Sequence, residues 1–436
     1  MNQDHPPDPA RERTVGARPR PTDAQAAVRR QDAPDPPDHG PVHQAGPRTA
    51  PLGTADAEAA DARRAIHSPG QVAGGWRVGD PAGRRLFAAV GDLPLESGAS
   101  LPGTTIAYQT WGRPNAARDN AVLICHALTG DAQVVGPTGP GHSTPGWWDG
   151  LIGEGRYVDP RDWYVVAANV LGGCQGTTGP SSPAPDGRPW GSRFPAITIR
   201  DQVTAEAALA DVLGIDRWAA VIGGSMGGMR ALEWPLLFPD RVRTAIVLAS
   251  TGYATADQIA WCAPQLAAIE SDPDWQGGDY YDTGRAPLQG LGIARRIAHI
   301  TYRSAEELGT RFGRTVQPDA TGRFAVESYL DHHAGKLAGR FDPGSYVTLT
   351  RAMNTHDLTR SRGPLPRTLQ ALKATLVLAA VTTDRLYPPH LTQELAEAHP
   401  AKPEVHLINS AYGHDGFLIE LDQVGTLIAQ SLQAGN

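Results

Sequence analysis

The 436-residue chain is 40% hydrophobic and carries 39 basic against 46 acidic residues. It can therefore bury a large core, and a formal charge of −7 gives it no general attraction to nucleic acid or anionic lipid. Three cysteines, Cys125, Cys174 and Cys262, are too few and too odd in number for a disulfide framework, which fits a reducing cytoplasm. No run approaches the roughly 18 apolar residues of a membrane span and no signal-peptide core opens the chain, so a soluble, unexported protein is expected.

Residues 1–74 are rich in Pro, Ala, Asp, Arg and Gly and hold no Phe, Trp or Tyr. Such a segment buries too little apolar surface to offset its ordering entropy, so a disordered tail is expected there, with order beginning near Trp76. Two strands are expected over Arg85 to Val90 and Thr104 to Trp111, separated by the turn formers Gly98 and Pro102. Then come short apolar runs of the kind buried on both faces of a parallel sheet: Ala121 to Cys125, Tyr164 to Ala168, Ala219 to Ile222, Ala245 to Leu248, Ala374 to Ala380 and Val405 to Ile408. Between them, Ile199 to Leu213 repeats apolar residues at helical spacing. Strands alternating with helices predict an α/β fold with a mostly parallel sheet covered on both faces. From 253 to 367 the rhythm breaks into mainly helical signals, which predicts a helical lid inserted between two core segments, 75–252 and 368–436.

The segment Trp218 to Trp234 reads WAAVIGGSMGGMRALEW. A strand-like run meets Gly223-Gly224-Ser225-Met226-Gly227 and then a helical pattern, which is the context of a nucleophile elbow: glycines on either side allow a tight turn that thrusts the serine hydroxyl outward. A serine nucleophile needs a base, and the base an orienting acid, and in the α/β-hydrolase fold these follow in the order Ser, Asp, His after later strands. VTTDRLYPP puts Asp384 after one strand, and NSAYGHDGFL puts His414 after the next. Asp415 adjoins His414 and is poorly placed to orient its neighbour's ring, so Asp384 is the expected acid. The Met226 amide and a second amide from the loop after the strand ending at Cys125, with Leu128 the candidate, should form the oxyanion hole.

Other clusters are set aside. His332 and His333 are neighbours that diverge on a helix and make a poor metal pair, and Cys174 in GGCQG has no base beside it, which suits a buried small residue. No metal or resident cofactor is expected.

NAVLICHALTGDAQ, PGWWDGLIG, ANVLGGCQGTTGPSS, GGSMGGMRALEW, IARRIAHITYRS and YGHDGFL together resemble the homoserine O-acetyltransferase family, in order, from about Trp76 to near the C-terminus. The resemblance implies ping-pong transfer of an acyl group from acyl-CoA, acetyl-CoA first, through an acyl-serine to the hydroxyl of L-homoserine, a step toward methionine. It also implies a helical lid that serves homodimerisation. Within IARRIAHITYRS the family's carboxylate-binding arginine falls on Arg295 and its tyrosine on Tyr302, and the acid after the catalytic histidine falls on Asp415, where an ammonium group would sit. Arg295, His299 and Tyr302 share one helix face, and a guanidinium can hold a carboxylate bidentately; without the resemblance, Arg295 reads as a solvated arginine. Two departures are visible: Gly344 in FDPGSY, where Asn is expected in many relatives, and Thr383 in VTTD, where Ser is common. Related members use succinyl-CoA, or accept serine or a deacetylated cephalosporin. A plain esterase with the same triad and a catalytically silent binding protein on the same fold are the rival readings.

Overall fold

The structure is a computed structural model that describes residues 74–318 and 322–434. The expected tail, save its last residue, lies outside the described residues.

Eight strands form one sheet: β1 (Leu86–Pro94), β2 (Ser100–Trp111), β3 (Ala121–Cys125), β4 (Tyr164–Ala168), β5 (Trp218–Gly224), β6 (Val242–Leu248), β7 (Thr375–Val381) and β8 (Val405–Ile408). Their order in space is β1-β2-β4-β3-β5-β6-β7-β8. β1 pairs antiparallel with β2 and β2 with β4, and every later pairing is parallel. The central strands β3 and β5 are buried along their whole length, which is why their sequences run apolar without alternation. The opening hairpin differs from expectation. β1 runs on to Pro94 and Pro102 lies inside β2, opposite the irregular stretch between Gly91 and Leu93, where the ladder is broken and a proline costs no hydrogen bond.

Helices α1 (Ile199–Val212) and α2 (Met226–Leu237) pack on one face of the sheet. α1 starts where it does because the Thr198 side chain accepts from the Asp201 amide while Asp201 accepts from the Thr198 amide, a reciprocal cap worth about 1 kcal/mol. The inserted segment supplies α3 (Ala256–Glu270), α4 (Leu288–Tyr302), α5 (Ala305–Phe312), α6 (Ala325–Ala338) and α7 (Pro343–Asn354), with no strand among its described residues. Then come α8 (Leu365–Gln370), α9 (Pro389–Ala398), α10 (Gly416–Ile419) and α11 (Leu421–Ala434). α8 straddles residue 367, where the lid was expected to end. Its Leu365 and Leu369 pack in the same apolar cluster as β7 and α1, so the chain has rejoined the core before the change in sequence pattern is visible. Lid and core share a further cluster that joins Leu128, Met226 and Met229 to Ile269, Leu291, Leu337 and Tyr346. The inserted segment thus packs on the loop after β3 and on the helix that follows the candidate nucleophile.

Candidate active site

Strand β5 delivers Ser225 at its C-terminal end, with φ 57° and ψ −124°, a conformation a non-glycine residue rarely adopts. The flanking glycines make it tolerable: a Cβ on Gly223 would strike the Gly227 carbonyl, and one on Gly227 would strike that of Cys125. Ser225 is buried at the start of α2, where unpaired helix amides favour negative charge.

Asp384 and His414 arrive from the ends of β7 and β8 and meet with Asp384 Oδ2 2.6 Å from His414 Nδ1. The other carboxylate oxygen accepts from the amides of Leu386 at 2.9 Å and Tyr387 at 2.8 Å, so its orientation is fixed twice over. Thr383 ties the two loops together: its hydroxyl donates to the Ser410 carbonyl at 2.7 Å and accepts from the Gly413 amide at 3.0 Å. The departure from serine at this position keeps the hydroxyl that matters. Tyr387 closes the group. Its ring stacks on His414 with centroids 5.0 Å apart. Burial pulls the His414 pKa down, but the charge of Asp384 and its hydrogen bond push harder, and the net shift is upward.

The expected oxyanion donors lie on the loop after β3, at Leu128, and at the first residue of α2, Met226. The turn at 127–130 is closed by Gly130 N to Ala127 O at 2.9 Å, and the first turn of α2 by Gly228 and Met229 amides to Ser225 O, so neither turn draws on the Leu128 or Met226 amide. A narrow cavity between the inserted helices and the core is lined by Leu128, Met229, Trp261, Cys262, Tyr302 and Tyr387 among others.

Arg295 and Tyr302 lie on α4, and the guanidinium sits over the Tyr302 ring, 5.3 Å from its centroid. The Tyr302 and His414 ring centroids in turn lie 5.9 Å apart, so Arg295 reaches His414 through one aromatic side chain. Nε and Nη1 of Arg295 are buried and have no hydrogen-bond partner among the described residues. Burial pushes the Tyr302 phenol up to about 12.

A single alignment decides the family. The homoserine O-acetyltransferase of Thermobifida fusca is 60% identical over 370 residues, covering 84% of this chain and 98% of that protein. The chain belongs to the homoserine O-acetyltransferase family. A family model described as alpha/beta hydrolase fold also matches residues 120–421. Among solved structures, a homoserine O-acetyltransferase from Bacillus anthracis matches with TM-score 0.74 at 24% identity, over 80% of this chain and 97% of that one. An acetylester hydrolase from Corynebacterium glutamicum matches with TM-score 0.70 at 24% identity, over 81% and 97%. At that identity both show the fold alone, and the fold carries esterases as well as transferases.

Within this homoserine O-acetyltransferase family member, the residue matched to the family's acid after the catalytic histidine has a partner the sequence did not disclose. Asp415 Oδ2 lies 3.3 Å from Nε of Arg303. Burial raises the Asp415 pKa, and Arg303, His414 and Arg295 oppose that rise. Tyr387 was also missed, although it stands three residues after Asp384. His299 and His333 stack with ring centroids 3.9 Å apart behind Arg295, and burial, then the Arg295 charge, keeps both neutral, His333 down at about 2. No group of three or more His, Cys, Asp or Glu side chains is arranged to hold a metal among the described residues. Cys174 is buried with its pKa pushed far up by burial, as a packing residue requires. No helix among the described residues is long and apolar enough to cross a membrane.

Proposed function

We propose that this chain transfers an acetyl group from acetyl-CoA to the hydroxyl of L-homoserine by a ping-pong route through acyl-Ser225, with Asp384 and His414 completing the triad. His414 takes the Ser225 proton as the oxygen attacks the thioester carbonyl, and the Leu128 and Met226 amides receive the oxyanion. The C–S bond breaks, the thiolate takes the proton from His414, and coenzyme A leaves. His414 then takes the homoserine hydroxyl proton, that oxygen attacks the acyl group, and the proton returns to Ser225.

The observation that carries this reading over a plain esterase is Arg295. A half-buried guanidinium whose buried Nε and Nη1 have no partner among the described residues, one aromatic ring from His414, is costly unless an anion completes it. An amino-acid carboxylate is planar and fits that fork. Anchored there, the acceptor competes with water through its fixed position rather than its concentration, and the lid keeps the site shielded. Asp415, held by Arg303, offers the negative charge for the acceptor's ammonium group. The cavity beside Leu128 has no charged residue in its lining, which favours an acetyl over a succinyl donor, since a buried terminal carboxylate there would lack a counter-charge.

The same reading carries a cytoplasmic enzyme of the route to methionine, acting as a homodimer through the lid. On that surface α3 exposes Ile259 and Trp261 and α4 exposes Ile293, apolar residues suited to a second copy. The test is free-thiol release from acetyl-CoA or succinyl-CoA with homoserine or serine. Thiol should appear in proportion to homoserine with acetyl-CoA. Equal release with no amino acid present would make the protein a hydrolase.

A further inference from the structure

On α2, five residues past the nucleophile, Arg230 is fully buried. Its Nη1 donates to Oε1 of Glu206 on α1, and its Nη2 donates to the backbone carbonyl of His126. Oε2 of Glu206 accepts from Trp234 Nε1 at 2.8 Å, which fixes the carboxylate from a second residue of α2.

The segment that Arg230 reaches is held at each successive group. His126 Nε2 accepts from the Val170 amide at 3.1 Å, which assigns the ring proton to Nδ1, 2.8 Å from the Ala127 carbonyl. That carbonyl also accepts from Gly130. Burial and the nearby Arg230 charge hold the His126 pKa down at about 3, so the ring stays neutral and keeps this pattern. Leu128 follows directly. Its amide and that of Met226 thus belong to two separate elements, the loop after β3 and the start of α2, and Arg230 is the side chain of α2 that bonds the loop's backbone.

Stability does not account for such a residue. A buried ion pair seldom beats an apolar pair of the same volume, and here Nε of Arg230 has no hydrogen-bond partner among the described residues. We propose that Arg230 is a positioning residue of the oxyanion hole: by gripping the His126 carbonyl from the nucleophile helix, it sets the distance between the Leu128 and Met226 amides. The proposal rests on the acyl-transfer reading above and adds to it the side chain that aligns the two donors. A thioester oxyanion is stabilised only by donors placed where its charge develops, so a shift of the loop weakens the transition state while leaving ground-state binding of coenzyme A alone.

The test uses the full chain and two variants. Arg230→Met combined with Glu206→Leu removes both buried charges together and so avoids leaving either unpaired. Arg230→Lys keeps a charge opposite Glu206 but replaces the fork with one ammonium, unable to span both acceptors. Measured are thermal stability, single-turnover acylation of Ser225 by acetyl-CoA per folded molecule, affinity for coenzyme A, and affinity for a trifluoromethyl-ketone analogue that binds as a tetrahedral oxyanion. Both variants should fold and bind coenzyme A as the wild type does, yet acylate more slowly and bind the ketone more weakly by a matching factor of about 10² to 10³, as for loss of one oxyanion donor. Acylation per folded molecule within about threefold of wild type in either variant, too little for a lost donor, would show Arg230 to be structural and overturn the proposal. So would a loss shared equally by coenzyme A and the ketone. Failure of the wild type itself to acylate Ser225 would instead reject the acyl-transfer reading, before any variant is compared.

Discussion

Asp384 Oδ2 stands 2.6 Å from His414 Nδ1, while its Oδ1 is held by the Leu386 and Tyr387 amides. The carboxylate therefore fixes the ring's tautomer and direction without freedom to turn. Asp384→Asn should preserve the fold and lower turnover by about 10³- to 10⁴-fold, as in triads whose acid has been neutralised. Because the anion is what raises the His414 pKa against burial, the residual activity should also persist to lower pH than in the wild type. A pH profile of acylation for both proteins checks this, and an unmoved acid limb would assign the orienting charge elsewhere.

The parts of this site that depend on neighbours in sequence were legible, and those made by distant pairs were not. Ser225 announces itself because strand, glycines and helix are consecutive, and Asp384 and His414 because each follows its own apolar run. Arg303 with Asp415, and Arg230 with the His126 carbonyl, join residues more than a hundred positions apart, and no local pattern encodes either. Tyr387 lies close to Asp384 in the chain, yet an aromatic residue there reads equally as core; only its stacking on His414 gives it a role. Near residue 367 the pattern is equally silent for a related reason: residues 355–370 keep loop-like and helical patterns while Leu358, Leu365 and Leu369 already pack in the core.

Several histidines are buried neutral: His126 with its pKa down at about 3, His356 at about 4 and His333 at about 2, burial being the main cause in each. Their folded values lie below the unfolded 6.5, so the unfolded chain binds more protons once the pH drops under about 6.5. Stability should be fully present above that pH and fall progressively as the pH drops toward the folded values, by up to roughly 1.4 kcal/mol per histidine per pH unit. Thermal unfolding between pH 7.5 and about 4.5, a window set by those values, should show a steadily falling midpoint. A flat profile would mean that water or local opening already serves these rings.

Arg295→Leu should separate the two half-reactions. Acylation of Ser225 by acetyl-CoA should be largely intact, because the guanidinium contacts Tyr302 rather than the nucleophile. Transfer to homoserine should lose roughly 2 to 5 kcal/mol of transition-state stabilisation, equal to about 30- to several-thousand-fold in kcat/KM. Homoserinol lacks the carboxylate and should react equally with both proteins. An equal loss for the two acceptors, seen by stopped-flow deacylation, would make Arg295 a support of the lid.

Gly344 shows what a departure from the common pattern demands locally. It sits in the first turn of α7, where its amide donates to the Tyr280 hydroxyl at 2.8 Å, and a Cβ added there would strike the Tyr281 hydroxyl. Both tyrosines also donate to the buried Asp342, at 2.7 and 2.9 Å, and Asp342 caps α7 by accepting from Ser345 at 2.7 Å. A side chain at 344 therefore has to displace Tyr281 and, through it, the cap. Gly344→Asn alone should destabilise by about 1 to 3 kcal/mol, the usual range for overpacking. Tyr281→Phe alone removes one of the hydrogen bonds to Asp342 and should cost about 1 to 2 kcal/mol. Combined, the two should cost less than their sum, because the hydroxyl that the asparagine strikes is gone and the residues share one contact. Urea unfolding of the four proteins measures the coupling directly. Strict additivity would show that α7 shifts as a body to admit the side chain, and Tyr281 would then not be the residue that requires glycine at 344.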